Sequence, residues 1–293
     1  MFLVVRSFAL TNPGTRSHFG FNYDKNGRDW NVKGGKRQSP ISLWSCNSIT
    51  CNVPKLKLVN YNKILSDELS VINNGLTVLM RIPKTVEGKQ PSLCISSQIG
   101  QVFEAQQLHF HWGSERNTGS EHNLDGCFYD GEMHIVHKNC NYKTNQEAAL
   151  HCNGFAVLAL LISHLENPEL QTPAMNEICK RVSKISKMDD DYPLEEDMAL
   201  EDVFVGIDTH KYFAYQGSLT TPPCAEAAIW FVFQTPIKVP KEHWKNFWRL
   251  RDSRGQRVLN TYRDLQDDHH RLVYRSRGKI CICCLMQKLT QSA

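Results

Sequence analysis

The sequence predicts a mainly β chain of the α+β kind, a single large domain in which one extensive sheet carries peripheral helices. Three observations carry this expectation. Most apolar segments are short, rich in β-branched or aromatic residues and bounded by turn signals. Only two stretches show helical spacing. From His18 to about Arg277 no Gly/Ser linker, low-complexity run or internal repeat divides the chain. A length of 293 residues, with 41% apolar and 22% charged residues, suits one such domain.

Taken in chain order, residues 1–17 read as an N-terminal extension. Arg6 interrupts what would be the apolar core of a secretory signal, and no small-residue cleavage site follows. Arg6 and Arg16, with no acid before Asp24, leave a mitochondrial presequence as the alternative. Strands are expected over 69–71, 76–82, 106–111, 133–136, 154–162 and 229–233, with Asn73-Asn74-Gly75 and Asp125-Gly126 as turns. A helix is expected over 173–186, where Met175, Ile178, Val182 and Ile185 recur at three- and four-residue steps. A second is expected over 240–250, with Trp244, Phe247 and Trp248 on one side. The acidic stretch 189–202 reads as a solvated loop and turn. Strands and helices do not alternate, which argues against stacked βαβ units. Residues 278–293 form a tail whose Cys281, Cys283 and Cys284 sit beside apolar and basic residues. That pattern admits palmitoylation, but three close cysteines without a fourth ligand make a poor zinc site. A tail without a defined role is the first reading.

The charge balance, 34 Lys+Arg against 30 Asp+Glu, gives +4, too small and too scattered for a nucleic-acid or membrane-surface protein. The longest apolar stretch, Gly154 to Ile162, is too short to span a bilayer. Eleven cysteines cannot all pair within one chain, and no Asn-x-Ser/Thr acceptor is present. Both point to a reducing compartment, so a cytoplasmic location is expected, with secreted or mitochondrial as the alternatives.

The chemistry lies in the histidines. His109 and His111 are spaced i, i+2 on an expected strand, and side chains at that spacing share a face. With His134 from another strand they supply three nitrogen ligands and leave a fourth position open, the catalytic rather than the structural kind of zinc site. Burying three imidazoles without partners is otherwise costly. Gln107 and Glu132 each lie two residues before a candidate ligand, where a side-chain oxygen can accept the other ring N–H and fix the tautomer.

The segments Leu108-His109-Phe110-His111-Trp112-Gly113, Ser120-Glu121-His122, Glu132-Met133-His134-Ile135-Val136-His137 and Gly217-Ser218-Leu219-Thr220-Thr221-Pro222-Pro223 resemble the α-class carbonic anhydrases. So do Arg37-Gln38-Ser39-Pro40-Ile41 and Asn73-Asn74-Gly75, and the motifs follow the family's order over about 18–277. The resemblance implies a twisted, mostly antiparallel ten-stranded sheet with the active site in a cone at its centre. It implies Zn2+ on His109, His111 and His134 with water as fourth ligand, acidified to a pKa of about 7, a value taken from this family itself. It further implies reversible hydration of carbon dioxide to bicarbonate. Thr220 matches the gatekeeper that donates to ionised Glu121 and thereby aims an oxygen lone pair at the substrate. Val136, Val157, Leu219 and Trp230 match an apolar wall for CO2, and Thr221 a polar neighbour opposite. The implied partner is the small-molecule substrate alone, with no nucleic acid, and the enzyme is expected to be a monomer.

Departures from the family pattern are as informative. Leu76 stands where fast members carry a proton-shuttling histidine, Phe21 where a tyrosine orders water, and Leu79 where a polar residue is common; Asn74 is retained. Turnover limited by proton transfer, with rescue by imidazole-like buffers, follows. Cys224 occupies a position that pairs with an N-terminal cysteine in secreted relatives. That partner falls near Lys33, where there is none, and Cys46 and Cys51 are the substitutes to consider. Two rivals stand beside the enzyme reading. One is a non-catalytic binding member of the family, which typically lacks zinc histidines. The other is a metallo-hydrolase, whose His-x-His-x-Asp-His run is replaced here by Trp112-Gly113-Ser114.

Overall fold

A computed structural model describes residues 20–276 except 52–55, 67–68, 97–99, 117 and 166–171. The expected extension at 1–17, the tail at 278–293 with its three cysteines, and the side chain of Cys51 lie outside the described residues. Fourteen strands are present among those described. They are β1 (Ser42–Leu43), β2 (Ile49–Cys51), β3 (Leu56–Val59), β4 (Ser70–Asn73), β5 (Val78–Arg81), β6 (Ser92–Ile95) and β7 (Val102–Trp112). Then follow β8 (Asn123–Leu124), β9 (Gly131–Asn139), β10 (Phe155–Leu165), β11 (Asp191–Pro193), β12 (Tyr212–Gly217), β13 (Ala228–Pro240) and β14 (Tyr274–Ser276). Helices are few: α1 (Asn145–Ala148), α2 (Pro173–Val182) and α3 (Lys241–Trp244).

Twelve strands make one sheet, of which ten run along the path β11-β4-β5-β7-β9-β10-β13-β12-β14-β2, with β3 and β6 beside it. Pairing is antiparallel except at β10–β13 and β14–β2; β1 and β8 form a separate parallel pair. Alternation along the long strands β9, β10 and β13 separates two cores. Met133, Ile135, Leu158 and Phe231 enter a large core on one face, covered by α2 and α3. Val157, Ala159, Trp230 and Val232 enter a smaller core on the other. Each fully buried aliphatic side chain of this kind contributes roughly 1.5–3 kcal/mol. Among the described residues, no helix is long and apolar enough to cross a membrane.

Three expectations change in detail. The helix from Pro173 stops at Val182; Thr172 caps its start by accepting from the Met175 N–H, and Ile185 stays buried beyond its end. The expected helix over 240–250 breaks into α3 and a 3-10 turn, Phe247–Arg249. Trp244 and Phe247 are both buried with ring centroids 4.4 Å apart, and a three-residue repeat brings positions i and i+3 onto one face. The acidic stretch contains the edge strand β11 and a 3-10 turn, Leu200–Phe204, rather than loop alone. An edge strand held by backbone pairing to β4 needs no alternation of apolar residues, which is why none marks it.

Candidate metal centre and active site

The metal centre depends on a bulge. The β7–β9 register shifts by one residue between Ala105 and Gln107, so Phe103 and Ala105 before it, and Leu108 and Phe110 after it, all face the large core. Without the extra residue, His109 and His111 would point into that core. With it, Gln107, His109 and His111 on β7 share a face with Glu132, His134 and Val136 on β9, in the pairs His109–His134, His111–Glu132 and Gln107–Val136.

Each of the three imidazoles is held by an oxygen on its outer side. His109 Nδ1 lies 2.8 Å from Gln107 Oε1, His111 Nδ1 2.5 Å from the Thr261 carbonyl oxygen, and His134 Nε2 2.7 Å from Glu132 Oε1. A ring nitrogen facing such an acceptor carries the hydrogen, so Nε2 of His109, Nε2 of His111 and Nδ1 of His134 present lone pairs to one another. His109 Nε2 and His111 Nε2 are 3.0 Å apart, and one ligand nitrogen from each ring lies within 4.8 Å of the others. Lone pairs at that distance repel. Burial, reinforced by the neighbouring histidines, holds His109 well below its usual pKa and lowers His111 to about 3; burial likewise lowers His134. Protonation therefore does not relieve the repulsion at neutral pH. A cation does: nitrogens bound tetrahedrally at 2.0–2.1 Å from zinc are about 3.3 Å apart.

The carboxylates supply the complementary charge. Glu132 is fully buried; although burial pushes its pKa up, His122 and His134 hold it well below the ordinary carboxylate range. Its Oε1 serves both rings, and its Oε2 accepts the His122 N–H at 2.8 Å. Glu121 behaves oppositely. Burial first, then the charge of Glu132, push its carboxyl well up, while the Thr220 hydroxyl and Arg263 pull it down. Oε1 accepts from the Arg263 backbone N–H at 2.8 Å. Oε2 has no close hydrogen-bond partner and lies 3.5 Å from His111 Nε2 and 4.0 Å from His134 Nδ1. Three inward lone pairs with an orphaned carboxylate oxygen beside two of them are a donor set that fits a dication, which would also reverse the sign of Glu121's shift.

The expected wall is brought together. Val136, Val157 and Trp230 are cross-strand neighbours on β9, β10 and β13, and the Trp230 ring lies 4.8 Å from that of His134. Leu219 and Thr220 are buried and Thr221 half-buried on the loop after β12. That loop is tied to the segment around Gln38: the Ser39 N–H donates to Ser218 Oγ at 2.9 Å and the Ser218 N–H to Ser39 Oγ at 3.0 Å. A Cβ on Gly217 would lie 2.2 Å from Ser39 Oγ, so only glycine permits this approach. Cys46 and Cys224 carry free thiols.

The surroundings of Leu76, the position that the resemblance puts at the mouth of the site, are different. Phe21, Asn22, Asn74, Leu76 and Met188 line a cavity of about 220 Å³ with Asp252 and Arg254. Leu79 is the cross-strand partner of His109. Several residues the sequence did not single out complete the site. Thr261 acts through its backbone carbonyl and Arg263 through its backbone N–H, neither of which has a sequence signature. His122 bridges Glu132 and the Tyr215 hydroxyl at 2.7 Å, a place that its parity beside Glu121 could have suggested. Tyr23, buried with its ring 6.4 Å from His111 and its pKa raised by burial and then by Glu121, packs beside the histidines.

Comparison with known proteins matches residues 24–277 to the eukaryotic-type carbonic anhydrase family. Carbonic anhydrase 6 of Canis lupus familiaris is 34% identical over 265 residues, covering 84% of this chain and 74% of that protein. Carbonic anhydrase 6 of Homo sapiens is 35% identical, covering 82% and 75%. Carbonic anhydrase 12 of Homo sapiens is 29% identical, covering 85% and 69%.

Proposed function

Because this chain belongs to the eukaryotic-type carbonic anhydrase family, lyases that reversibly hydrate carbon dioxide, we propose that it does so at a zinc ion held by His109, His111 and His134. The observation that carries the reading is the trio of inward lone pairs, each fixed by an outer acceptor, with Glu121 Oε2 beside those of His111 and His134. Bound there by Nε2, Nε2 and Nδ1, zinc supplies a Lewis acid that brings the ionisation of water near neutral pH.

The chain's own groups do the rest. With Glu121 ionised, the Thr220 hydroxyl spends its proton on that carboxylate and keeps only acceptor capacity, so it orients the attacking oxygen rather than competing for it. CO2 has no net charge and no dipole, and the row Val136, Val157, Leu219 and Trp230 offers it an apolar seat from which water is excluded. Thr221 provides the polar side. Gln107 and Glu132 hold the tautomers. At the mouth, Leu76 cannot accept a proton, so the proton released by each turnover passes to external buffer and limits the rate.

In this reading the enzyme acts as a monomer. Nothing in the relatives' names supports the cytoplasmic expectation drawn from the cysteines, so the secreted alternative stands beside it. The test is zinc content with stopped-flow CO2 hydration on the purified chain. Zinc near one per chain with hydration supports the proposal; stoichiometric zinc without hydration overturns it in favour of a binding protein.

A further inference from the structure

A second cavity, of about 380 Å³, lies on the histidine face of the sheet and shares no lining residue with the one beside Leu76. Cross-strand partners share a face, and the row Asp191, Ile72, Leu79, His109 runs from β11 through β4 and β5 to the metal centre. Arg81, further along β5, is the partner of Gln107, whose Oε1 holds His109 Nδ1 at 2.8 Å. One wall is the bulge itself. The Gln106 carbonyl accepts the Ile82 N–H at 3.0 Å, and the Ala105 carbonyl accepts from Gln90 Nε2 at 2.7 Å. Gln90 Nε2 also donates to the Ile82 carbonyl at 3.1 Å, so one carboxamide ties the chain after β5 to the bulge.

We propose that this cavity binds a basic α-amino acid with an aliphatic side chain, the class of lysine, and that its occupation strengthens zinc binding through the bulge. The lining carries one positive and two negative side chains, Arg81 against Glu104 and Asp191. A ligand that complements that set carries one carboxylate and two ammonium groups. Arg81 and Glu104, on the neighbouring strands β5 and β7, take the α-carboxylate and the α-ammonium. Asp191 stands at the other end, on β11 with β4 between it and β5, so the second ammonium group must sit on a chain. Ile72, Ile82 and Pro83 offer apolar surface to that chain. The volume admits one such molecule with bridging water. Ala105 and Gln106 line the cavity, and the register shift there sets the face that His109 takes. A ligand spanning Arg81 and Glu104 therefore favours the arrangement in which Gln107 holds His109. The coupling to zinc rests on the metal reading above; the seat does not.

The test is calorimetric titration of the full chain, zinc-loaded and zinc-free, with L-lysine, L-norleucine and cadaverine. Norleucine lacks the second ammonium group and cadaverine the carboxylate. Each should bind about two- to fivefold more weakly than lysine, the effect of one partly exposed ion pair. Asp191→Asn should weaken lysine by that factor and leave norleucine unchanged, while Arg81→Gln should weaken both and spare cadaverine. Asp191 and Arg81 are exposed, so neither variant threatens the fold. Ile72→Trp, which fills the cavity, should abolish binding of all three. Saturating lysine should raise zinc affinity in chelator competition about two- to fivefold, with norleucine as the control for chelation by the ligand itself. Zinc-loaded protein should bind lysine more tightly than zinc-free protein by the same factor. Lysine that binds no more tightly than norleucine and cadaverine, or equally to wild type and both charge variants, overturns the seat. Equal lysine affinity with and without zinc overturns the coupling alone. A chain that takes up no zinc overturns the proposed function, and titration of the zinc-free protein then decides the seat by itself.

Discussion

The histidine site, the floor, and the cavity beside Leu76, the mouth, are built on opposite principles. On the floor, polar side chains are buried and each contact is answered by another: Gln107, Glu132 and Thr261 orient the rings, and Arg263 and Thr220 orient Glu121. At the mouth, an exposed ion pair between Arg254 and Asp24 and apolar side chains, Phe21 and Leu76, surround open space. Under the proposed function, the floor determines whether hydration chemistry happens and the mouth how fast the proton leaves. The two steps are therefore separable by mutation.

The largest effect should come from the floor. Removing one inner nitrogen with His111→Ala should release zinc and lower hydration by at least about a thousandfold, the equivalent of losing some 4 kcal/mol of charge stabilisation. Zinc analysis beside stopped-flow rates checks this, and an active, zinc-loaded variant would break the contrast. His137, on β9 with His134 but on the core face, sharpens it. Its Nε2 accepts the Tyr61 hydroxyl and its Nδ1 faces the Ile135 and Ala156 carbonyls, so it has no inward lone pair to offer. Burial lowers its pKa from 6.5 to about 4. The unfolded chain then binds the extra proton, so the contribution is complete above pH 6.5 and lost as pH falls toward 4, about 3 kcal/mol in all. Denaturant titrations should show the stability of wild type relative to His137→Gln falling by that amount on acidification; a constant difference contradicts it.

A smaller change follows from Glu132→Gln, which keeps the shape but removes the charge shared by His122 and His134. Zinc affinity should fall about ten- to a hundredfold in competition with a chelator, against no change for a substitution at the mouth. The smallest effect is a gain. Leu76→His should raise turnover at low buffer by up to about tenfold, modest because nothing orders the new ring, with kcat/KM unmoved. A rise in kcat/KM would mean that floor and mouth are not separate after all.

The floor was largely legible in the sequence because its logic is that of a strand. Period-two spacing put His109 and His111 on one face, and the i−2 placement of Gln107 and Glu132 followed from the same geometry. The bulge at Ala105/Gln107 was not legible, since one extra residue leaves no mark in composition, yet it decides which face the histidines take. Backbone partners such as the Thr261 carbonyl were equally invisible. The short strands β2, β11 and β14 escaped for another reason: at or near a sheet edge, pairing is by backbone and the side chains are free to be polar. At the mouth, the resemblance marked Leu76 as a departure, but nothing in the sequence marked the pairing of Arg254 with Asp24, 230 residues apart.

The most direct test of a complete floor beneath a mouth without a shuttle is stopped-flow CO2 hydration by the wild-type chain over a series of imidazole concentrations, with kcat and kcat/KM extracted separately. The account predicts that kcat climbs with imidazole while kcat/KM stays flat. A kcat indifferent to buffer would show that another group carries the proton and would contradict it.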